Sequence, residues 1–124
     1  MGKLCVALAA VLLVGAIAHA EVKVIVKGES VNIDTTGFPP KMQKAYILMQ
    51  QKCNQCHSIE RIVAAVQTGL CPLSKETFSK KTTRSLVTRM YLKPGANMTK
   101  DEARTIVIFL NYLLDQKVTV VEKQ

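Results

Sequence analysis

The chain has 124 residues and a formal net charge of +8, from 17 Lys and Arg against 9 Asp and Glu. This length fits a single domain, and the few Gly and Pro residues exclude collagen-like and low-complexity classes. The basic residues form no dense run of the kind found in nucleic-acid-binding arms, so we predict no nucleic-acid partner.

The first twenty residues have the layout of a secretory signal peptide. Lys3 precedes an apolar stretch, and Ala18-His19-Ala20 places small residues at the two positions that signal peptidase recognises. We therefore predict a signal peptide over residues 1–20, cleavage before Glu21, and a periplasmic protein without a stable membrane anchor. The alternative is a retained anchor, for which the apolar run is short.

Both ends of the remaining chain carry patterns typical of β-strands. Val22, Val24 and Val26 alternate with other residues in an N-terminal extension, residues 21–38, and a valine-rich stretch lies in the tail, residues 117–124. We predict that the two segments pair as a short two-stranded ribbon. The alternatives are a disordered N-terminal tether and pairing between chains.

The next predicted elements are helices on either side of a cysteine motif. Pro39-Pro40 is typical of a helix start, and this helix is expected to run to about Lys52. The residues 59–66 are apolar and predict a second helix. Residues 68–81 have the composition of a loop and contain Cys71, which is either buried and inert or available for an intermolecular disulfide.

Cys53-Asn54-Gln55-Cys56-His57 has the Cys-x-x-Cys-His spacing of a c-type haem attachment site. Two thiols one helical turn apart can form thioether bonds with the two vinyl groups of one haem, and the adjacent imidazole can bind its iron. A redox-active cysteine pair and a structural zinc site are alternatives. The first needs no following His, and the second needs about four ligands.

The second axial ligand of the iron is expected to be a methionine, with an empty or Lys-bound position as the alternatives. After cleavage His57 is the only His that remains, so two His ligands from one chain are excluded. Met42 and Met49 precede the motif on the same predicted helix and are interpreted as core residues. Met90 and Met98 lie far enough downstream, and we favour Met90, with Met98 as its rival.

Local sequence separates these two methionines. Thr99 to Glu102 forms a capping box, which puts Met98 at the hydrophobic staple position that any apolar residue could fill. Met90 ends a predicted helix over residues 85–91, and Lys93-Pro94-Gly95 follows as a turn. The last helix is predicted over residues 101–116 from a stripe of apolar residues at a period of 3.6: Ala103, Ile106, Val107, Leu110, Leu113 and Leu114.

Residues 39–116 resemble the class I cytochromes c, specifically the small bacterial monohaem periplasmic type. The resemblance is carried by the attachment motif, by Arg89-Met90, by Lys93-Pro94-Gly95-Ala96 and by Thr99 to Ala103. It implies an all-α domain wrapped around one covalent haem c, with the helix before the motif packed on the last helix. It also supports Met90 as the ligand, because similar sequences carry an aliphatic residue where Met98 stands.

The predicted function is one-electron transfer rather than enzymatic catalysis. An iron with His57 and Met90 as axial ligands has no open position, and the protein sets its potential through ligands and burial. The alternative is a haem-based ligand-binding or sensor protein with an open sixth site. Redox partner proteins are expected to dock on a lysine-rich face near the haem edge, formed by Lys75, Lys80, Lys81, Lys93 and Lys100.

Overall fold

The computed structural model describes residues 21–122, so the predicted signal peptide and its cleavage position lie outside the described residues. Seven elements follow one another in the chain: β1 (Glu21–Lys27), β2 (Ser30–Asp34), α1 (Pro40–Cys53), α2 (Ile59–Thr68), α3 (Thr83–Tyr91), α4 (Lys100–Leu114) and β3 (Lys117–Glu122). None of the helices in this part of the chain is both long and apolar enough to cross a membrane.

The prediction of an all-α fold with a two-stranded ribbon is wrong. The sheet has three strands in the order β2-β1-β3 and accompanies four helices, so the fold is mixed α/β. The two end strands are neighbours, with Val22 opposite Val118 and Val24 opposite Val120. They run parallel, which requires a long crossover connection, and here all four helices lie between them in sequence.

The third strand, β2, arises from a hairpin that the sequence analysis did not predict. Gly28 and Glu29 form a two-residue connection, and Gly28 takes a φ of +58° that L side chains rarely adopt. The antiparallel register places Ile33 opposite Val24, and both side chains are buried. The strand therefore extends the apolar face of the sheet toward the helices.

The helix boundaries follow from local signals in the sequence. Helix α1 begins at Pro40, where proline's fixed φ suits the first turn. Helix α2 ends at Thr68 and is followed by Gly69, which has the left-handed conformation common after a helix. Helix α4 begins with a capping box between Thr99 and Glu102, as predicted.

The core is formed by one face of the sheet and by buried residues of all four helices. Phe109 is fully buried and lies near the rings of Phe38 and Tyr46, with centroids 6.2 and 5.8 Å away. Tyr46 also joins α1 to the sheet, because its hydroxyl oxygen accepts a hydrogen bond of 2.9 Å from the backbone N–H of Ile33. This packing fixes α1, and with it the attachment motif at its C-terminal end.

Candidate functional site

An apolar cavity of about 380 Å³ lies among all four helices and the loop between α2 and α3. Cys53, His57, Met90 and Met98 all line it, although they come from different parts of the chain. Its volume falls within the range of about 300–1,000 Å³ that is usual for small-molecule and cofactor sites. Apolar side chains from the helices form much of its wall: Met49, Ile62, Ala65, Leu86, Val87, Ile106 and Leu110.

Cys53 is the last residue of α1 and is buried at the wall of this cavity. Burial, helped by the nearby Cys56, raises the pKa of its thiol to about 11. The thiol is therefore protonated at neutral pH, and it presents sulfur to an apolar space. Cys53, Cys56 and Cys71 are all free thiols.

Cys56 is exposed and does not line the apolar cavity. It lies in a shallower groove of about 500 Å³, bounded by the β1–β2 hairpin and by the turn that carries the motif. His57 lines both spaces. The structure thus brings together three of the four predicted site residues, Cys53, His57 and Met90, at the cavity, whereas Cys56 lines only the groove.

The His57 ring is half-buried, and its Nδ1 lies 3.3 Å from the carbonyl oxygen of Ser58. A carbonyl can only accept a hydrogen bond, so this contact favours a proton on Nδ1. The other ring nitrogen, Nε2, then keeps a lone pair for a metal ion.

Met90 and Met98 reach the cavity from opposite ends of the loop between α3 and α4. Met90 lies in the last turn of α3 and is 37% exposed. Met98 is half-buried and packs against the core just before the capping box, which agrees with its predicted staple position. Both methionines therefore line the cavity. Their positions at its wall do not distinguish which of them would be the axial ligand.

Three cationic side chains line the cavity: Arg61, Arg89 and Lys93. Arg89 donates a hydrogen bond of 2.7 Å to Glu76, and this contact holds the pKa of the Glu76 carboxyl below its usual value. Of the five lysines predicted to surround the site, only Lys93 lines the cavity, and Lys80 is paired with Asp115 at the end of α4.

The sequence analysis missed several residues of this site. Met49 was interpreted as a core residue, and it is fully buried, but it also forms part of the cavity wall. Its position one turn before Cys53 on α1 was the available signal. Phe78 and the Glu76–Arg89 pair come from the loop and from α3, and no spacing in the sequence relates them to the motif.

A sequence model of the family described as photosystem P840 reaction-centre cytochrome c-551 matches residues 9–113, most of the chain. The chain belongs to this family. As a member of the cytochrome c-551 family it is a small c-type cytochrome, and membership points to haem-based electron transport rather than to an enzymatic reaction. Neither the curated proteins nor the solved structures contain a match.

The donor atoms around the cavity fit the cofactor that a cytochrome c-551 implies. Imidazole and thioether groups are suitable axial ligands for haem iron, and cysteine thiols provide its covalent attachment. Cys53, His57 and both methionines offer these groups to one apolar space. The cationic side chains at its wall can offset the negative charge of haem carboxylates.

Proposed function

We propose that the chain binds one haem c through thioether bonds to Cys53 and Cys56, with His57 and Met90 as the axial ligands. The observation that supports this most strongly is that Cys53, His57 and Met90 line one apolar cavity although Met90 is far away in sequence. The exposed thiol of Cys56 has to turn toward this cavity when the second bond forms.

The residues of the site have separate tasks in this proposal. Ser58 holds the proton of His57 on Nδ1 through its carbonyl oxygen, which leaves Nε2 to bind iron. Met90 supplies a neutral sulfur, which favours the reduced state and raises the potential. The apolar wall keeps water away and makes the buried charge of the oxidised state less favourable. When bound, the haem iron supplies a one-electron couple between its ferric and ferrous states.

The proposed function is transfer of single electrons between periplasmic or membrane-bound redox partners. The family is named for a photosystem reaction centre, and a reaction centre is therefore the first partner to test. We place the mature protein in the periplasm after removal of residues 1–20. We also propose that Lys93 and the neighbouring exposed Lys75 belong to the docking face, because they flank the cavity.

A second candidate function is haem-based binding or sensing of a small ligand. It is favoured by the exposure of Met90, which is 37% accessible in the protein without haem. The two functions predict different axial coordination of the iron in the resting protein. A carrier keeps the Met–iron bond, whereas a sensor exchanges it for an external ligand such as carbon monoxide.

The attachment of the cofactor can be tested with cysteine variants expressed in a host that matures cytochromes c. The wild-type protein should gain the mass of one haem and keep it in acidified organic solvent. Its pyridine haemochrome spectrum should be that of a haem with two thioether bonds. Cys53→Ala and Cys56→Ala should each shift this spectrum or lose the haem, and Cys71→Ala should behave like wild type. Haem that is extractable from the wild type, or a second haem, would contradict the proposal.

A further inference from the structure

Lys52 connects helix α1 to the loop between α3 and α4, which contains Met98 and follows Met90. Its Nζ donates a hydrogen bond of 2.6 Å to the backbone carbonyl oxygen of Asn97 and lies 3.3 Å from Oε2 of Glu102. Lys52 directly precedes Cys53 in the last turn of α1, and Asn97 directly precedes Met98. The Lys52 side chain thus connects α1, on one side of the cavity, with the α3–α4 loop on the other side.

The loop that Lys52 contacts, residues 92–99, has an unusual backbone. Gly95 and Asn97 both have a positive φ, +78° and +45°, and Asn97 is not a glycine. Asn is one of the few L residues that adopt this conformation readily, and a contact to its backbone helps to hold it there. At Asn97 this contact is the hydrogen bond from Lys52 to its carbonyl oxygen.

The Lys52 side chain also contacts the first turn of α4. Oε2 of Glu102 accepts a hydrogen bond of 2.7 Å from the backbone N–H of Thr99 and also pairs with Lys52. The Lys52 and Glu102 side chains are only 17% and 29% exposed, so solvent screens this pair less than the exposed Glu76–Arg89 pair. Lys52 therefore holds the end of the loop and the capping box together against α1.

We propose that Lys52 is a positioning residue that keeps the α3–α4 loop closed over the cavity and so maintains the bond between Met90 and the haem iron. This inference rests on the proposed function. Lys52 is not one of the residues that line the cavity, and it acts through the position of the loop that follows Met90. Its loss is expected to increase the fraction of molecules in which the methionine has left the iron.

The test is an imidazole titration of the oxidised, haem-loaded protein, followed through the far-red absorption band of the iron–methionine bond. Imidazole binds only to the open form, so its apparent affinity is proportional to the open fraction. Lys52→Met keeps the aliphatic stem and removes the donor. It should lower the apparent dissociation constant by about tenfold, which corresponds to the loss of one charge-assisted hydrogen bond.

The matched control is Lys44→Met, which removes an exposed lysine from the same helix and should titrate like wild type. Lys52→Arg keeps a cationic donor and should restore most of the wild-type affinity. A merely structural contribution of Lys52 would lower the melting temperature without changing imidazole affinity.

Each outcome of the titration decides the inference. Equal imidazole affinities of wild type, Lys52→Met and Lys44→Met would overturn it and leave the proposed function intact. It would also be overturned if Lys52→Met and the shorter Lys52→Gln both failed to take up haem, since Lys52 would then be required for folding. A wild-type protein with no haem or no far-red band would instead overturn the proposed function itself.

Discussion

The two cysteines of the motif occupy different surroundings although only two residues separate them. Cys53 is buried, and burial raises the pKa of its thiol to about 11, whereas Cys56 is exposed. The sequence predicts both as haem attachment residues, because the chemistry of the motif depends on the type and the spacing of its residues. It could not predict this difference in burial, which comes from the packing of α1 and from the hairpin beside Cys56.

The two methionines, Met90 and Met98, are a second case in which the sequence predicts local geometry and not the surroundings of a side chain. The capping box predicted the position of Met98, and the structure confirms that local geometry. Both side chains nevertheless line the cavity, since a short loop returns the chain from α3 to α4. Sequence spacing identifies which residues can reach a site, and the iron ligand has to be found by spectroscopy.

Tyr46 gives a stability prediction for its hydroxyl oxygen, which accepts hydrogen bonds from the backbone N–H of Ile33 and, at 3.1 Å, from Nε2 of Gln50. In Tyr46→Phe the buried N–H of Ile33 loses its acceptor at 2.9 Å, and an unsatisfied buried donor costs about 1–3 kcal/mol. The free energy of unfolding, measured with urea, should fall by that amount. Tyr91→Phe is the control, because no hydrogen bond of its hydroxyl is found among the described residues. Equal effects of the two variants would show that the Tyr46 hydroxyl contributes nothing specific.

Helix α4 gives a prediction of pH dependence at the scale of an element. The hydrogen bond from the backbone N–H of Thr99 is the main cause that holds the pKa of Glu102 below its usual value, and Lys52 adds to it. A carboxyl with a lowered pKa stabilises the folded state above its unfolded pKa of 4.5. This stabilisation is lost as the pH falls through the lower, folded pKa.

The corresponding experiment compares wild type with Glu102→Gln in urea unfolding at pH 7 and pH 3. The variant should be less stable at pH 7, and the difference should shrink as the pH is lowered to 3, because the stabilisation by the Glu102 charge is lost as the wild-type carboxyl takes up its proton. Asp101→Asn is a suitable control, because Asp101 forms only an exposed pair with Arg104. A difference that does not change with pH would contradict a role for the Glu102 charge.

The elements differ in how well the sequence predicted them. All four helices occur close to the predicted positions, because Pro40, Gly69 and the capping box are local signals that act within a few residues. Strand β2 was missed although Gly28 and Glu29 separate two alternating segments, which is a hairpin signal. The contact between Lys52 and Asn97 has no local signal, since it joins residues 45 positions apart.

At the scale of the whole molecule, the sheet brings the two ends of the described chain together. Thr119 and Glu21 lie 98 positions apart in sequence and form a hydrogen bond between their side chains. The alternation of apolar residues in each segment indicated strands, but their parallel direction depends on the path of the four helices between them. The class I cytochrome resemblance covered only residues 39–116, and this is why the prediction of an all-α domain reduced the three-stranded sheet to a two-stranded ribbon.

The lysines near the cavity give a prediction about docking to a redox partner. If Lys75 and Lys93 belong to the docking face, the rate of electron transfer to an acidic redox partner should fall as salt increases. Lys93→Gln should lower this rate at low salt by about twofold to tenfold and weaken its salt dependence. Lys44→Gln, on the exposed side of α1, should leave both unchanged. Stopped-flow kinetics at several salt concentrations would measure this. Equal rates for all three proteins would exclude Lys93 from the docking face.

The most direct test of the proposed site is the far-red absorption band of the oxidised protein in wild type, Met90→Ala and Met98→Ala. This weak charge-transfer band reports the bond between ferric iron and a methionine sulfur. We predict that wild type and Met98→Ala have the band and that Met90→Ala lacks it. Loss of the band only in Met98→Ala would contradict the ligand assignment while keeping the electron-transfer function. A wild-type protein without the band and with a high-spin spectrum would contradict the carrier and favour the sensor.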